Sequence, residues 1–307
     1  MGRRGRRGAL VFAAVALAAA AVSASAWAGT GTLNLRYTST TTNWGDLPGR
    51  EGQSTYDPCF GSERLVGMGG WAGESTMIAP FESQFKLGKV FFVSLRPENQ
   101  YAGPPNPDST HEVLDNLFKQ SNSIDLGEAT ICATSAGTPE YPKETKRAKA
   151  GERTTVKVDC PNGTAVLSGG GSVSGPFKKQ RLVGTIPFDD NLDIDTTPDD
   201  GWKAIVDNVG RRDRRAKAYA ICGNIASLNY VSSNFEVVEH SRRNYQLACP
   251  GGQYVLGGGV TPGVDFGKAK LVASRFRPAA SPSVWISEVD NLSNADRVGT
   301  VHAICHT

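Results

Sequence analysis

Cys249-Pro250-Gly251-Gly252-Gln253-Tyr254-Val255-Leu256-Gly257-Gly258-Gly259, followed by Trp285, Asp290-Asn291 and Ala303-Ile304-Cys305, ends the chain, and the same string stands upstream almost position for position. There Cys160-Pro161-Asn162-Gly163 leads to Val166-Leu167-Ser168-Gly169-Gly170-Gly171, then to Trp202, Asp207-Asn208 and Ala220-Ile221-Cys222. A more divergent copy comes first. In it Cys59 precedes Leu65-Val66-Gly67-Met68-Gly69-Gly70, Asp115-Asn116 and Ile131-Cys132 close the unit, and Thr110 stands where the others have Trp. Self-similarity at such spacing means that one supersecondary unit is used three times.

Working outward from that string, the segments ahead of the first cysteine alternate with period two: Val156 and Val158 around Lys157, Tyr245 and Leu247 around Gln246. Period two predicts strands. The Cys-Pro-x-Gly that follows combines proline with Asn or Gly where a tight turn needs positive φ, and is read as a hairpin reversal. Ten residues after the first cysteine each copy has glycine, Gly69, Gly170 and Gly259. A phosphate-cradling loop would need a Lys-Ser/Thr and a strand-loop-helix context, which are missing, so the glycines are read as places where strands bend or approach closely. Val90 to Val93, Leu182-Val183 and Leu271-Val272 predict strands ended by Pro97, Pro187 and Pro278. Trp202 shares a strand face with Ala204 and Val206, and Trp285 with Ser287 and Val289. Thr32 to Thr42 alternates weakly and is expected to add a strand to the sheet of a later copy. The expectation is an all-β protein of three copies with four or five strands each. The divisions fall at residues 29–138, 139–231 and 232–307, with Ser135 to Glu152 and Ser227 to Phe235 as linkers.

Residues 1–28 read as an export signal: Arg3, Arg4, Arg6 and Arg7, an apolar stretch from Ala9 to Val22, and a small-x-small site at Ala26-Trp27-Ala28. The arginine pairs resemble a twin-arginine signal, but Gly8-Ala9-Leu10 departs from its usual continuation, and the general secretory route is the reading taken. Without those arginines, 29 Lys+Arg face 30 Asp+Glu, so the basic balance of the full chain belongs to its signal. A nucleic-acid partner is therefore not expected, and no later apolar run has the ~20 residues of a membrane span. The expected place of work is extracellular.

All six cysteines belong to the repeated string, one at each end of a copy. An even count in an exported chain reads as disulfides, and the repetition selects Cys59 with Cys132, Cys160 with Cys222 and Cys249 with Cys305. Each loop so closed would stabilise by roughly 4 kcal/mol in the loop-entropy view. Metal ligation is the rival reading, and no Cys-x-x-Cys pair supports it.

Taken in order, Cys-Pro-x-Gly, the Gly-rich strand, Trp-x5-Asn and Ala-Ile-Cys resemble a class of exported, actinobacterial-type repeat proteins to which no activity is attached. At greater distance, three Cys-closed Gly-rich β copies look like the β-prism of vitelline membrane outer layer protein, three sheets around a pseudo-threefold axis. That family's Asp-Asp-Thr-Ala-Leu-Asn signature is absent here, and the first cysteines stand 101 and 89 residues apart, so no functional residue carries over.

Candidate functional residues follow from what is repeated and what is not. The repeated Trp202 and Trp285, beside Asn208 and Asn291, would form equivalent stacking and hydrogen-bonding sites for a sugar; the competing reading makes the Asp-Asn pairs strand-end ties. Trp71 replaces small residues of the other copies, and Tyr101 lies in a Pro-rich insertion; both are candidate ligand contacts. Asp189, Asn191, Asp193, Asp195 and Asp200 fall at positions 1, 3, 5, 7 and 12 of a calcium loop. Ile194 replaces its turn glycine, so a solvated acidic loop, partly neutralised by Arg211, Arg212, Arg214 and Arg215, is the alternative. No His-Glu-x-x-His or Gly-x-Ser-x-Gly pattern is present. The expectation is a secreted, non-enzymatic protein that binds an envelope or environmental glycan or a partner protein. A structural envelope protein and a glycan-active enzyme are the alternatives, and calcium is the one cofactor considered.

Overall fold

The computed structural model describes residues 26–30, 33–44, 51–53, 58–72, 90–98, 107–116, 124–134, 137–175, 179–190, 197–277 and 283–307. Tyr101, Asn191, Asp193, Asp195, Pro278 and residues 1–25 of the expected signal lie outside them. Every regular element described is a strand. A leading strand β1 (Ala26–Thr30) spans the expected cleavage site and pairs with β2. The first copy contains β2 (Leu33–Trp44), β3 (Glu51–Gln53), β4 (Arg64–Ala72), β5 (Val90–Glu98), β6 (Ser109–Asn116) and β7 (Ile124–Ala133). The second contains β8 (Lys143–Ala148), β9 (Arg153–Asp159), β10 (Ala165–Val173), β11 (Gln180–Phe188), β12 (Gly201–Asn208) and β13 (Arg214–Gly223). The third contains β14 (Leu228–Val237), β15 (Ser241–Ala248), β16 (Tyr254–Thr261), β17 (Ala269–Phe276), β18 (Val284–Asn291) and β19 (Arg297–His306).

Among the described residues each copy thus has six strands rather than four or five. Both expected linkers contain a strand. Lys143–Ala148 pairs with β13, and Leu228–Val237 pairs with β19, as β2 pairs with β7 of its own copy rather than with a later one. The division at Ser232 therefore cuts through β14. β8 left no period-two trace because it is an edge strand with five exposed, mostly charged residues and only Ala148 buried.

The sheets run β1-β2-β7-β4-β17-β18-β15, β3-β6-β5-β10-β13-β8 and β14-β19-β16-β11-β12-β9. Every sheet therefore joins three strands of one copy to three of another. The join is narrow: Gly70 and Trp71 meet Ser274 and Ala273, Gly171 and Ser172 meet Leu95 and Ser94, and Val260 meets Thr185. Glycine permits it, since a Cβ on Gly69, Gly170 or Gly259 would fall 2.6 Å from Ser274 O, 2.1 Å from Leu95 O or 1.8 Å from Thr185 O. Two residues earlier on the same strands the sheets touch each other: a Cβ on Gly67 would meet Leu256 O at 1.9 Å, one on Gly257 would meet Leu167 O at 2.3 Å, and Met68 N–H donates to Ser168 Oγ at 3.3 Å.

Register shifts recur at matching places, at Val66, Leu167 and Leu256 on one strand and at Val93, Val183 and Val272 on the next. Each extra residue is apolar and buried, so a bulge turns one more side chain into the core. The Cys-Pro-x-Gly segment does not make a hairpin. Gly163 and Gly252 have φ of 81°, and Thr164 and Gln253 N–H donate to Pro161 and Pro250 O at 3.0 Å, so a tight turn forms as expected. It nevertheless carries the chain from one sheet to another, because β9 pairs with β12 and β15 with β18. Turn chemistry dictates a reversal, while Val156 and Val158 facing Ala204 and Trp202 dictate the pairing partner. Pro97 and Pro187 do not end their strands either, since β5 and β11 each run one residue further. Beyond Thr185 the seam has parted, and Pro187, lacking an N–H, loses no ladder bond there.

The three expected disulfides are present, with sequence separations of 73, 62 and 56 residues. This is the chemistry of an oxidising compartment. Among the described residues no helix is long and apolar enough to cross a membrane.

Candidate functional site

The tryptophans belong to the core. Trp202 and Trp285 are both 0% exposed, each wedged against a glycine of the neighbouring sheet: a Cβ on Gly169 would lie 2.3 Å from the Trp202 ring, and one on Gly258 2.6 Å from that of Trp285. The expectation that these rings stack on a sugar is overturned by this burial. Trp202 Nε1 donates to Thr185 Oγ1, whereas the matching pair of copy three, Trp285 Nε1 and Ser274 Oγ, is buried with no hydrogen-bond partner among the described residues.

The asparagines are saturated. Asn208 Nδ2 donates to Ala148 O at 3.0 Å and Arg212 O at 2.9 Å, and its Oδ1 accepts from Gly210 N–H at 3.0 Å and Gln180 Nε2 at 3.2 Å. Asn291 Nδ2 donates to Val237 O at 2.9 Å and Ala295 O at 3.0 Å, and its Oδ1 accepts from Ser293 N–H at 2.9 Å and Ser293 Oγ at 2.6 Å. With both amide hydrogens and both lone pairs used, neither side chain has capacity left for a ligand, and the strand-end reading holds. The preceding aspartates are ties as well. Asp207 accepts from Arg153 Nε at 2.7 Å and from Gly267 N–H at 2.6 Å, while Asp290 accepts from Arg242 Nε at 2.6 Å.

Trp71 lies on the opposite, outer face of its sheet, yet is only 3% exposed: it packs on Gly127 and carries the Arg275 guanidinium 4.0 Å from its ring centre. On the same face Arg242 stands 3.3 Å from Glu288, whose carboxyl burial pushes up from its ordinary value against the pull of Arg242. Of the calcium-loop residues only Asp189 and Asp200 are described, and Asp200 Oδ2 accepts the Asp190 N–H at 2.7 Å, closing the base of that loop. Among the described residues the grouping with metal-ligand geometry is Cys59, Glu63 and Cys132. Its sulfurs are consumed in a disulfide and Glu63 is held by Arg36 Nε at 2.8 Å, so it offers no site.

What remains available is the outer faces. On the β9–β12 face Lys157 and Lys203 approach the Phe188 ring to 4.4 and 5.7 Å, and burial, then Lys157, lowers the Lys203 pKa. On the same sheet burial, aided by Lys203, takes His302 down to about 4. On the β8–β13 face Arg147 stands opposite Arg215, Thr145 opposite Lys217 and Lys143 opposite Tyr219, whose hydroxyl lies 3.3 Å from Ser172 Oγ. Sequence reading missed this face, although both halves were visible as basic runs, 143–149 and 211–217. They were separated by more than sixty residues and assigned to a linker and a counter-charge.

Compared with known proteins, the chain matches no family and no curated protein.

Proposed function

We propose that this is a secreted, non-enzymatic binding protein for an envelope or environmental glycan or a partner protein, and that it binds through the outer faces of its sheets. The supporting observation is how the copies differ. Inward positions repeat or stay small and apolar or hydroxylic: Trp202 and Trp285, Val206 and Val289, Ala220 and Ala303, and the Asn pair are identical and buried in both, and Ala204 corresponds to Ser287. Outward positions, the Asp207 and Asp290 ties apart, differ: Lys203 corresponds to Ile286, Ile205 to Glu288, Ile186 to Arg275, Lys217 to Thr300 and Tyr219 to His302. A purely structural repeat has no need of chemically different exteriors on two copies of one frame.

The proposal includes a β-prism arrangement around a pseudo-threefold axis. It is supported by the cyclic exchange of strands and by the contacts at Gly67, Gly257 and Ser168, which link the three sheets in turn. The test is retention on peptidoglycan, chitin and cellulose alongside an assay for released sugar, using Arg275→Ala and the pair Lys157→Ser/Lys203→Ser. Retention lost through an outer-face substitution, with the melting temperature unmoved and no product formed, is the expected result. Product release abolished by one carboxylate substitution would replace this reading with an enzyme.

A further inference from the structure

We infer that the outer face of β8 and β13 is a binding site for an extended anionic polysaccharide. The inference rests on the binding reading above and names the ligand class for one of the faces.

Residues 143–149 and 211–217 hold nine of the chain's Lys and Arg against two carboxylates, Glu144 and Asp213, although the expected mature chain is close to neutral. Pairing of β8 with β13 brings these two runs together. Opposed residues of an antiparallel pair share a face, and Ala216 and Ala218 point into the core, so Arg215, Lys217 and Tyr219 point outward with Arg147, Thr145 and Lys143 beside them. Successive rungs on one face are about 6.8 Å apart, so Arg147 and Arg215, then Lys217, then Lys143 form a cationic track on the order of 13 Å long.

This track works against the fold. Like charges directly opposite are destabilising, and Arg147 faces Arg215. Of the outward cations only Arg147 has a carboxylate partner among the described residues, Asp213, which also accepts the Ala150 N–H at 2.9 Å. The frame does not require the cations either: where β8 and β13 place Arg147 and Arg215, the equivalent strand pairs place Glu236 with Val298 and Asn43 with Asp125. A feature that costs stability and that two sister positions do without is explained by something that neutralises it from outside.

The polar groups between the cations indicate which polyanion. Thr145, the Tyr219 hydroxyl and Ser172 stand among them, suited to the hydroxyls of sugars. Single-stranded nucleic acid is instead held by exposed aromatic platforms, and Tyr219, the ring on this face, is only 7% exposed. A track that runs along two paired strands also suits an extended chain better than a compact anion.

The test uses the full chain with alginate as the anionic polysaccharide, dextran and cellulose as neutral ones, and oligo-dT as the nucleic acid. Alginate should bind with an affinity that falls with salt, and Arg215→Ser and Lys217→Ser should each lower the slope of log affinity against log salt by about one. Together they should weaken binding about tenfold or more at moderate salt. Their melting temperature should stay level or rise, as removal of like-charge crowding requires, and Lys268→Ser, in the exposed turn before β17, should change neither quantity. No alginate binding, or binding insensitive to the double substitution, overturns the inference, and tighter retention of oligo-dT than of alginate overturns the choice of ligand. Retention on cellulose or dextran alone would sink this site while leaving the binding reading intact; retention on none of these, nor on peptidoglycan or chitin, would sink the glycan reading as well.

Discussion

Copies two and three fill the space between sheets with a tryptophan laid on a glycine, Trp202 on Gly169 and Trp285 on Gly258, whereas copy one reverses the sizes. At the positions of Trp and Gly it has Thr110 and Met68, both buried, and Thr130 opposite Met68 donates to the Thr110 hydroxyl at 3.2 Å. The large side chain has moved from one sheet to the facing one, with the gap between them still filled. Divergence in copy one is therefore a complementary exchange rather than decay, because a core tolerates a swap that conserves volume and penalises one that does not.

The most severe way to break the comparison is to empty a wedge. Trp285→Ala and Trp202→Ala should each cost roughly 3–5 kcal/mol in urea unfolding, while Thr110→Ala should cost far less. Next come the ties beside the wedge: Asn291→Ala takes the side-chain donor from the Val237 carbonyl and the acceptor from the Ser293 N–H, while Ala295 O keeps Ser293 Oγ, and should cost roughly 1–3 kcal/mol, with Asn208→Ala similar. If both residues tolerate alanine, the saturated-amide account is wrong. The exchange itself is testable by reversing it. Thr110→Trp alone should destabilise by about 1–3 kcal/mol through overpacking, and adding Met68→Gly should recover most of that; additive losses would show that the two positions do not share a volume.

A subtler contrast lies at Tyr219 and His302. The folded pKa of His302 is depressed to about 4, so the unfolded chain binds the proton first and stability falls as pH drops from about 6.5 toward 4. His302→Tyr should remove roughly 1–2 kcal/mol of that acid sensitivity at pH 5 while leaving stability above pH 7 nearly unchanged. The smallest effect concerns the orphaned Trp285 Nε1. Copying the threonine of copy two, Ser274→Thr should restore the bond that Trp202 makes to Thr185 and add about 1 kcal/mol.

Much of the frame could be read directly. The disulfide pairing followed from six cysteines at the ends of three repeated strings, and the Trp202, Ala204 and Val206 face from period two. The strand exchange could not be read, because the seam between β10 and β5 consists of two residue pairs, Gly171 with Leu95 and Ser172 with Ser94, and neither is distinctive. β8 was hidden for the opposite reason, a strand so charged that it has no apolar face to betray it. The same property concealed the candidate site, since a cationic track appears only when Arg147 and Arg215 are known to be opposite each other. The tryptophans misled because an aromatic repeated in every strong copy suits a ligand platform and a core wedge equally well, and only burial separates the two.

The strand exchange has a consequence in time. The sheet begun by β2, β7 and β4 is completed by β17, β18 and β15, which lie in the final eighty residues of the chain. However early its first copy emerges during synthesis, that sheet stays open along β4 until the far end of the polypeptide arrives. Pairings this distant in sequence are slow to form, so a chain halted after its second copy would retain an exposed strand edge at β4 and a second at β11, available to any neighbouring chain in the same condition.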